Sequence, residues 1–260
     1  MAEPTRSGMV EANGAKFYYE VRGTGPSLMF IPGAEGDAAE YARVADLLEG
    51  EFTILSYDRR AFSRSQRPDN FRATSVEEQA DDAAAILRAL GMAPAYLWGN
   101  SSGAIISLAV TLRHPAVVRK AMVHEPPLFA GMSDPQQVIS FLKQATANGK
   151  IPFMRMLMGD QEYEALPEDY RHRMEADDTW INFEFDNFEY YRPTDEELAQ
   201  IQRPVSVLYG VDSPPFFAEA ATWLAGRIGG EAIGMPGGHG AHYDHPEDVA
   251  EAIRSFMTDM

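Results

Sequence analysis

Ala95-Tyr96-Leu97-Trp98-Gly99-Asn100-Ser101-Ser102-Gly103-Ala104-Ile105-Ile106-Ser107-Leu108-Ala109-Val110-Thr111-Leu112 reads as two buried elements joined by a very short turn. Ala95–Trp98 is an apolar run of strand length, and Ala104–Leu112 is an apolar run long enough for a helix. Gly99-Asn100-Ser101-Ser102-Gly103 between them fits the pattern Gly-x-Ser-x-Gly. Glycines at the ends of such a turn let the backbone reverse without Cβ clashes and push the Ser101 hydroxyl to the open end of a sheet. The helix that follows aims its first N–H groups at any negative charge forming there. Five small residues in an arbitrary loop would carry little weight. Between a strand and a helix they describe a nucleophile.

Outward from this turn, strand-like and helix-like stretches alternate. Met9–Ala12 and Lys16–Val21 flank Asn13-Gly14, a dipeptide suited to a two-residue hairpin. Strands are expected at Ser27–Ile31, Phe52–Tyr57, Lys120–His124, Val205–Tyr209 and Ala232–Met235. Helices are expected at Tyr41–Leu48, from the cap Ser75 to Leu90, at Phe216–Ile228 and at Pro246–Met257. Glu78, three residues after Ser75, completes a capping-box pattern. Such alternation predicts an α/β fold, a mostly parallel sheet with helices on both faces.

Residues 126–203 interrupt the alternation. They carry helical stretches rich in Met and aromatics, among them Phe141, Leu142, Phe153, Met154, Met156, Leu157, Met158, Trp180, Phe183, Phe185 and Phe188. We expect a helical lid here, inserted into a core of residues 1–125 and 204–260 and lying over the carboxyl ends of the strands. Most of these side chains should pack the lid itself. Several should face down onto an apolar pocket, with Phe129, Met154, Met158 and Gly33 as candidates for its wall.

The chain has 260 residues, 45% of them hydrophobic, enough for one large domain. Its 39 acidic and 22 basic residues give a formal charge of −17, which argues against nucleic acid and anionic membranes as partners. Cysteine is absent, so disulfides, thiolate metal sites and cysteine nucleophiles are excluded. Neither a secretion signal nor a spanning apolar run is visible, and a cytoplasmic protein is expected. A homodimer stays open.

A serine hydroxyl needs a base within hydrogen-bond reach and an acid to orient that base. Of six histidines, His114 precedes a proline at the end of the helix that follows Ser101, His172 lies in a polar part of the lid, and His124 ends a strand. His239, delivered by Met235-Pro236-Gly237-Gly238 just after the last strand, is the expected base, with His242 second. His245 abuts Pro246 and reads as the start of the closing helix. The group His239, His242, Asp244 and His245 has the side chains of a metal site, but it crowds one short loop with no distant partner, and no metal is expected.

Two acids compete. Asp212 follows the strand Val205–Tyr209 in Gly210-Val211-Asp212-Ser213, one residue short of the usual Gly-x-x-Asp spacing. Glu125 leaves the strand ending at His124 and is held by Pro126-Pro127. Oxyanion donors are expected from the Ser102 N–H and from the Ala34 N–H in Pro32-Gly33-Ala34-Glu35-Gly36.

These residues resemble the α/β-hydrolase superfamily, and more closely the zearalenone lactonases. The resemblance runs from Asn13-Gly14 to the closing helix and is weakest in the lid. It is carried by Tyr18-Tyr19-Glu20 with Gly23-Thr24-Gly25-Pro26, by Trp98–Ala104, by Arg119–Glu125, and by Pro236–His239 with His245-Pro246. It implies a cofactor-free serine hydrolase in which Ser101 attacks an ester or lactone carbonyl. His239 would be the base, Glu125 the acid, and Ala34 and Ser102 the oxyanion donors. Trp180 is implied as a substrate contact. The chain departs from the superfamily at Asp58-Arg59-Arg60-Ala61-Phe62-Ser63-Arg64-Ser65, where two glycines are common, and in the acidic stretch Glu184-Phe185-Asp186 with Glu189. Rival readings are a general carboxylesterase, thioesterase or peptidase chemistry on the same scaffold, and a ligand-binding protein without turnover.

Overall fold

Hydrophobic residues on both faces of the central strands require cover on both sides, and the chain supplies it. The structure, a computed structural model, describes residues 5–185 and 191–258. Its eight strands are β1 (Arg6–Ala12), β2 (Ala15–Arg22), β3 (Ser27–Ile31), β4 (Thr53–Tyr57), β5 (Ala95–Asn100), β6 (Val118–His124), β7 (Val205–Gly210) and β8 (Ala232–Met235). They form one sheet in the order β1-β2-β4-β3-β5-β6-β7-β8. β1 and β2 pair antiparallel across Asn13-Gly14, whose φ values of 42° and 74° suit the hairpin turn. β2 is antiparallel to β4, and the remaining pairs are parallel.

The helices around the sheet are α1 (Ala42–Leu48), α2 (Val76–Ala89) and α3 (Ser102–Arg113), with α9 (Pro215–Arg227), α10 (Ala241–Asp244) and α11 (Pro246–Met257) later in the chain. Strand side chains alternate between the two layers. Met29, Ile31 and Leu97 join Ile86, Leu108 and Leu224 in one core. Their chain neighbours Leu28, Phe30 and Trp98 join Val44, Leu48 and Ile253 in the other. At the start of α2, the Glu78 N–H donates to Ser75 Oγ at 3.1 Å. The reciprocal half of the expected capping box does not form, because the Glu78 carboxylate turns toward Arg60 at 3.7 Å.

Between β6 and β7 the described chain is helical: α4 (Pro135–Thr146), α5 (Lys150–Met158), α6 (Asp160–Ala165), α7 (Glu168–Ala176), a π-helical turn at Trp180–Glu184, and α8 (Asp195–Leu198). Asp186, Phe188 and Glu189 lie outside the described residues. Phe153, Met154, Tyr163, Tyr170, Met174 and Trp180 cluster with Ala34, Phe62 and Tyr243 from the strand-end loops, which seats the segment over the carboxyl ends of the strands. Ion pairs reinforce the seating. Arg59, at one of the departures from the superfamily, pairs with Glu184, and both side chains are fully buried. The same guanidinium donates to the Gly33 carbonyl at 2.5 Å. Arg173 reaches Asp37 at 2.7 Å, and Arg43 pairs with Glu162. No helix among the described residues is long and apolar enough to cross a membrane.

Candidate active site

Ser101 sits between β5 and α3 with φ 56° and ψ −125°, a conformation that a non-glycine residue adopts only where its surroundings impose it. The flanking glycines make this possible by close approach. A Cβ on Gly99 would lie 2.2 Å from the Gly103 carbonyl oxygen, and one on Gly103 would lie 2.0 Å from the Ile31 carbonyl oxygen. The turn therefore packs directly on the end of β3. A Cβ on Gly33, in the loop after β3, would stand 3.5 Å from Ser101 Cβ, so this loop borders the serine.

Glu125, fully buried at the exit of β6, also has a positive φ, of 49°. Its Oε1 accepts the Gly210 N–H at 2.7 Å, and its Oε2 lies 2.6 Å from His239 Nδ1. Burial by itself would raise the Glu125 pKa, but the hydrogen bond and charge of His239 outweigh it and hold the carboxyl below its ordinary range. An ionised carboxylate can only accept, so Nδ1 donates to it, and in the neutral imidazole Nε2 is the nitrogen left with a lone pair. The His239 ring stacks on Phe217, with centroids 4.4 Å apart. The histidine and the carboxylate thus come from the ends of β8 and β6.

Asn100, one residue before Ser101, ties these parts together. Its Nδ2 donates to the His239 carbonyl at 2.9 Å, and its Oδ1 accepts from His124 Nδ1 at 3.1 Å. No sequence signal singled it out. On the other side of the serine, the Gly33 N–H donates to the Glu40 carboxylate at 2.8 Å. Burial, reinforced by the charge of Glu35, pushes the Glu40 pKa well up. With Gly33 so engaged, the next N–H along the loop, that of Ala34, has no partner among the described residues, nor has that of Ser102.

A cavity of about 300 Å³ opens onto Ser101, His239, Ala34 and Ser102. Phe129, Met158 and Trp180 line it, together with Phe153, Phe185 and Phe217. Trp180 stacks on Phe153 with centroids 5.2 Å apart. Two expected wall residues are elsewhere. Met154 is fully buried inside the cluster of the helical segment, because its position on α5 faces that cluster. Gly33 is turned to Glu40 and Arg59 and is not part of the wall. Asp212 is exposed at the cavity edge, and the carboxylate that meets His239 is that of Glu125.

The other histidines are placed by local chemistry. His242 lines the cavity but is buried between Tyr41 and Tyr243, with ring centroids at 4.9 and 4.2 Å. His114 lies 2.7 Å from Asp81, His245 lies 3.5 Å from Asp248, and His172 is exposed beside Glu168. Among the described residues no three His, Asp or Glu side chains are grouped to hold a metal ion.

His124 yields a pH prediction. Burial lowers its pKa from an ordinary 6.5 to about 4, against the attraction of Glu125. Its Nδ1 already donates to Asn100, and its Nε2 is buried without a partner. The unfolded chain takes up a proton near pH 6.5 that the folded chain refuses until about pH 4, so this residue costs stability as pH falls through that window. In His124→Gln, denaturant-unfolding profiles should fall less steeply on acidification, by up to about 1.4 kcal/mol per pH unit. Parallel profiles for the two proteins between pH 7 and 5 would refute this.

Comparison with known proteins places the chain among relatives. Residues 26–246 match the family model described as alpha/beta hydrolase fold. The uncharacterized hydrolase YraK of Bacillus subtilis is 28% identical over 262 residues, covering 96% of each chain. A zearalenone hydrolase of Bionectria ochroleuca is 32% identical over 126 residues, which span 47% of this chain and 48% of that one. Among solved structures, Est816, described as an N-acyl homoserine lactone degrading enzyme, superposes with a TM-score of 0.75 at 24% identity, over 96% of this chain and all of that one.

Proposed function

The chain belongs to the alpha/beta hydrolase fold family, and on that premise we propose that it is a cofactor-free serine hydrolase cleaving carboxylic esters or lactones of a bulky, largely apolar substrate. The observation that carries this reading is the 2.6 Å contact of Glu125 with His239 at the wall of the cavity onto which the strained Ser101 opens. Residues 126–203 act as a lid over a core of 1–125 and 204–260.

The chemistry follows from the placement. Ser101 Oγ attacks the carbonyl carbon while its proton passes to His239 Nε2. The carbonyl oxygen becomes negative within reach of the Ala34 and Ser102 N–H groups, and the start of α3 adds its dipole. Glu125 stabilises the imidazolium that forms. The intermediate collapses as His239 returns its proton to the leaving alkoxide, giving an acyl-serine. Water, deprotonated by the same imidazole, then attacks the acyl carbon, and Ser101 recovers its proton as the acid is released. In a lactone the alkoxide remains attached to the acyl group, so one ring-opened product leaves.

The wall supports an aromatic, apolar substrate. Phe153, Trp180 and Phe185 present rigid surface, and burying an apolar ligand is worth roughly 25 cal/mol per Å². The resorcylic macrolactone zearalenone is the specific candidate, supported by the partial likeness to a zearalenone hydrolase. A fluorophosphonate probe should label the protein stoichiometrically and spare Ser101→Ala. An unlabelled wild type would leave a ligand-binding protein. Trp180→Ala should reduce kcat/KM for the macrolactone about tenfold more than for p-nitrophenyl acetate. Equal losses, or no ring opening at enzyme excess, would remove the macrolactone and leave a general esterase.

A further inference from the structure

The cavity wall contains a carboxylate that hydrolysis as described does not use. Glu35 directly follows Ala34 on the loop after β3, lines the cavity with Ser101 and His239, and is 8% exposed. Among the described residues its side chain receives one hydrogen bond, from the Tyr243 hydroxyl to Oε1, at a long 3.3 Å. That hydroxyl is shared with Tyr170 at 3.1 Å. Among the described residues Oε2 has no hydrogen-bond partner, and it is not sealed from the space around it, on a residue that lines the cavity. Withdrawing a carboxylate from water with so little compensation is costly. Lys150, whose buried ammonium makes no hydrogen bond among the described residues, contributes attraction from a distance but leaves the oxygen unbound.

We propose that Glu35 is a polar subsite in this largely apolar cavity, accepting a hydrogen bond from an uncharged hydroxyl or amide N–H on the substrate. The subsite adjoins the Ala34 N–H, so the donor group lies near the carbonyl that reacts. Lys150 already supplies positive charge to this carboxylate, so a neutral donor suits it better than a second cation, and substrates bearing a carboxylate there are repelled. What this says about turnover rests on the serine-hydrolase reading, whereas binding does not.

Binding is therefore measured by calorimetry on Ser101→Ala, which leaves esters intact. Two matched pairs are compared: 3-hydroxyphenyl against 3-methoxyphenyl butyrate, and phenyl 3-(3-hydroxyphenyl)propanoate against its methyl ether. The donor thus sits on the alcohol side in one pair and the acyl side in the other. The hydroxyl member of at least one pair should bind about tenfold more tightly, as a hydrogen bond to a charged acceptor allows. Glu35→Leu in that background should bring the ratio to about one, and the near-isosteric Glu35→Gln should reduce it at least threefold. Equal binding within both pairs, including no measurable binding of any member, overturns the proposal. So does a ratio that survives Glu35→Leu or, should that variant not fold, Glu35→Gln. Failure of the wild type to react with fluorophosphonate would instead remove the hydrolase reading, while these affinities still decide the subsite.

Discussion

His239→Ala is expected to lower kcat for ester hydrolysis by about 10⁵- to 10⁶-fold, the scale seen when a serine nucleophile loses its base. Without an acceptor at Nε2 the Ser101 proton has nowhere to go, and acylation stops before the oxyanion donors can act. The variant should remain folded, because the imidazole is partly open to the cavity and its ring contact with Phe217 is at the cavity wall. His242→Asn is the control. Burial holds the His242 pKa well below its ordinary value, and its ring is enclosed by Tyr41 and Tyr243. Its loss should appear in thermal stability, with the acylation burst largely retained. A collapse of the burst in His242→Asn with a mild effect in His239→Ala would transfer the role of base.

Glu125→Gln is expected to cost 10³- to 10⁴-fold in kcat, on the order found when the orienting acid of such a triad is made neutral. The amide keeps the shape but can donate to Nδ1, which favours the tautomer with its proton on Nε2, facing the serine. It also removes the negative charge that stabilises the imidazolium. Asp212→Asn should change kcat only a few-fold, since this side chain is exposed and His239 is already engaged by Glu125. The pair is read from steady-state kinetics of one activated ester at saturating concentration. A crippling Asp212→Asn with a mild Glu125→Gln would reverse the assignment.

Much of the architecture was legible because the sheet core leaves a local signature. Each central strand is a short apolar run, Ser75 and Pro246 mark the starts of their helices, and Asn13-Gly14 and Gly99–Gly103 announce their turns. The acid was harder, since Glu125 and Asp212 both stand at strand exits and local sequence cannot tell which exit faces His239. Spatial partnership across the sheet sets Glu125 against His239, and the 2.7 Å bond from Gly210 to Glu125 has no counterpart in sequence spacing. Met154 was misplaced for a related reason. The Met-rich run of α5 gives no indication of which residue turns toward the cavity and which into the helical segment's own cluster with Tyr163, Tyr170 and Met174. Arg59 and Glu184 each lie in a stretch that departs from the superfamily, but 125 residues of chain hide their complementarity.

The buried pair of Arg59 and Glu184 has a consequence for how this chain can diversify. Removing either partner alone strands a charge in the interior, at a cost of about 3–5 kcal/mol. A helical segment transplanted from a relative without an acid at position 184 would therefore leave Arg59 uncompensated beneath it. Because Arg59 also holds the Gly33 carbonyl, the disturbance would reach the loop beside Ser101. Exchange of this segment as a module is blocked unless position 59 changes with it. Adaptation to new ligands is steered toward single substitutions on the cavity wall, at positions such as Phe129, Met158 and Phe185, which carry no such linkage.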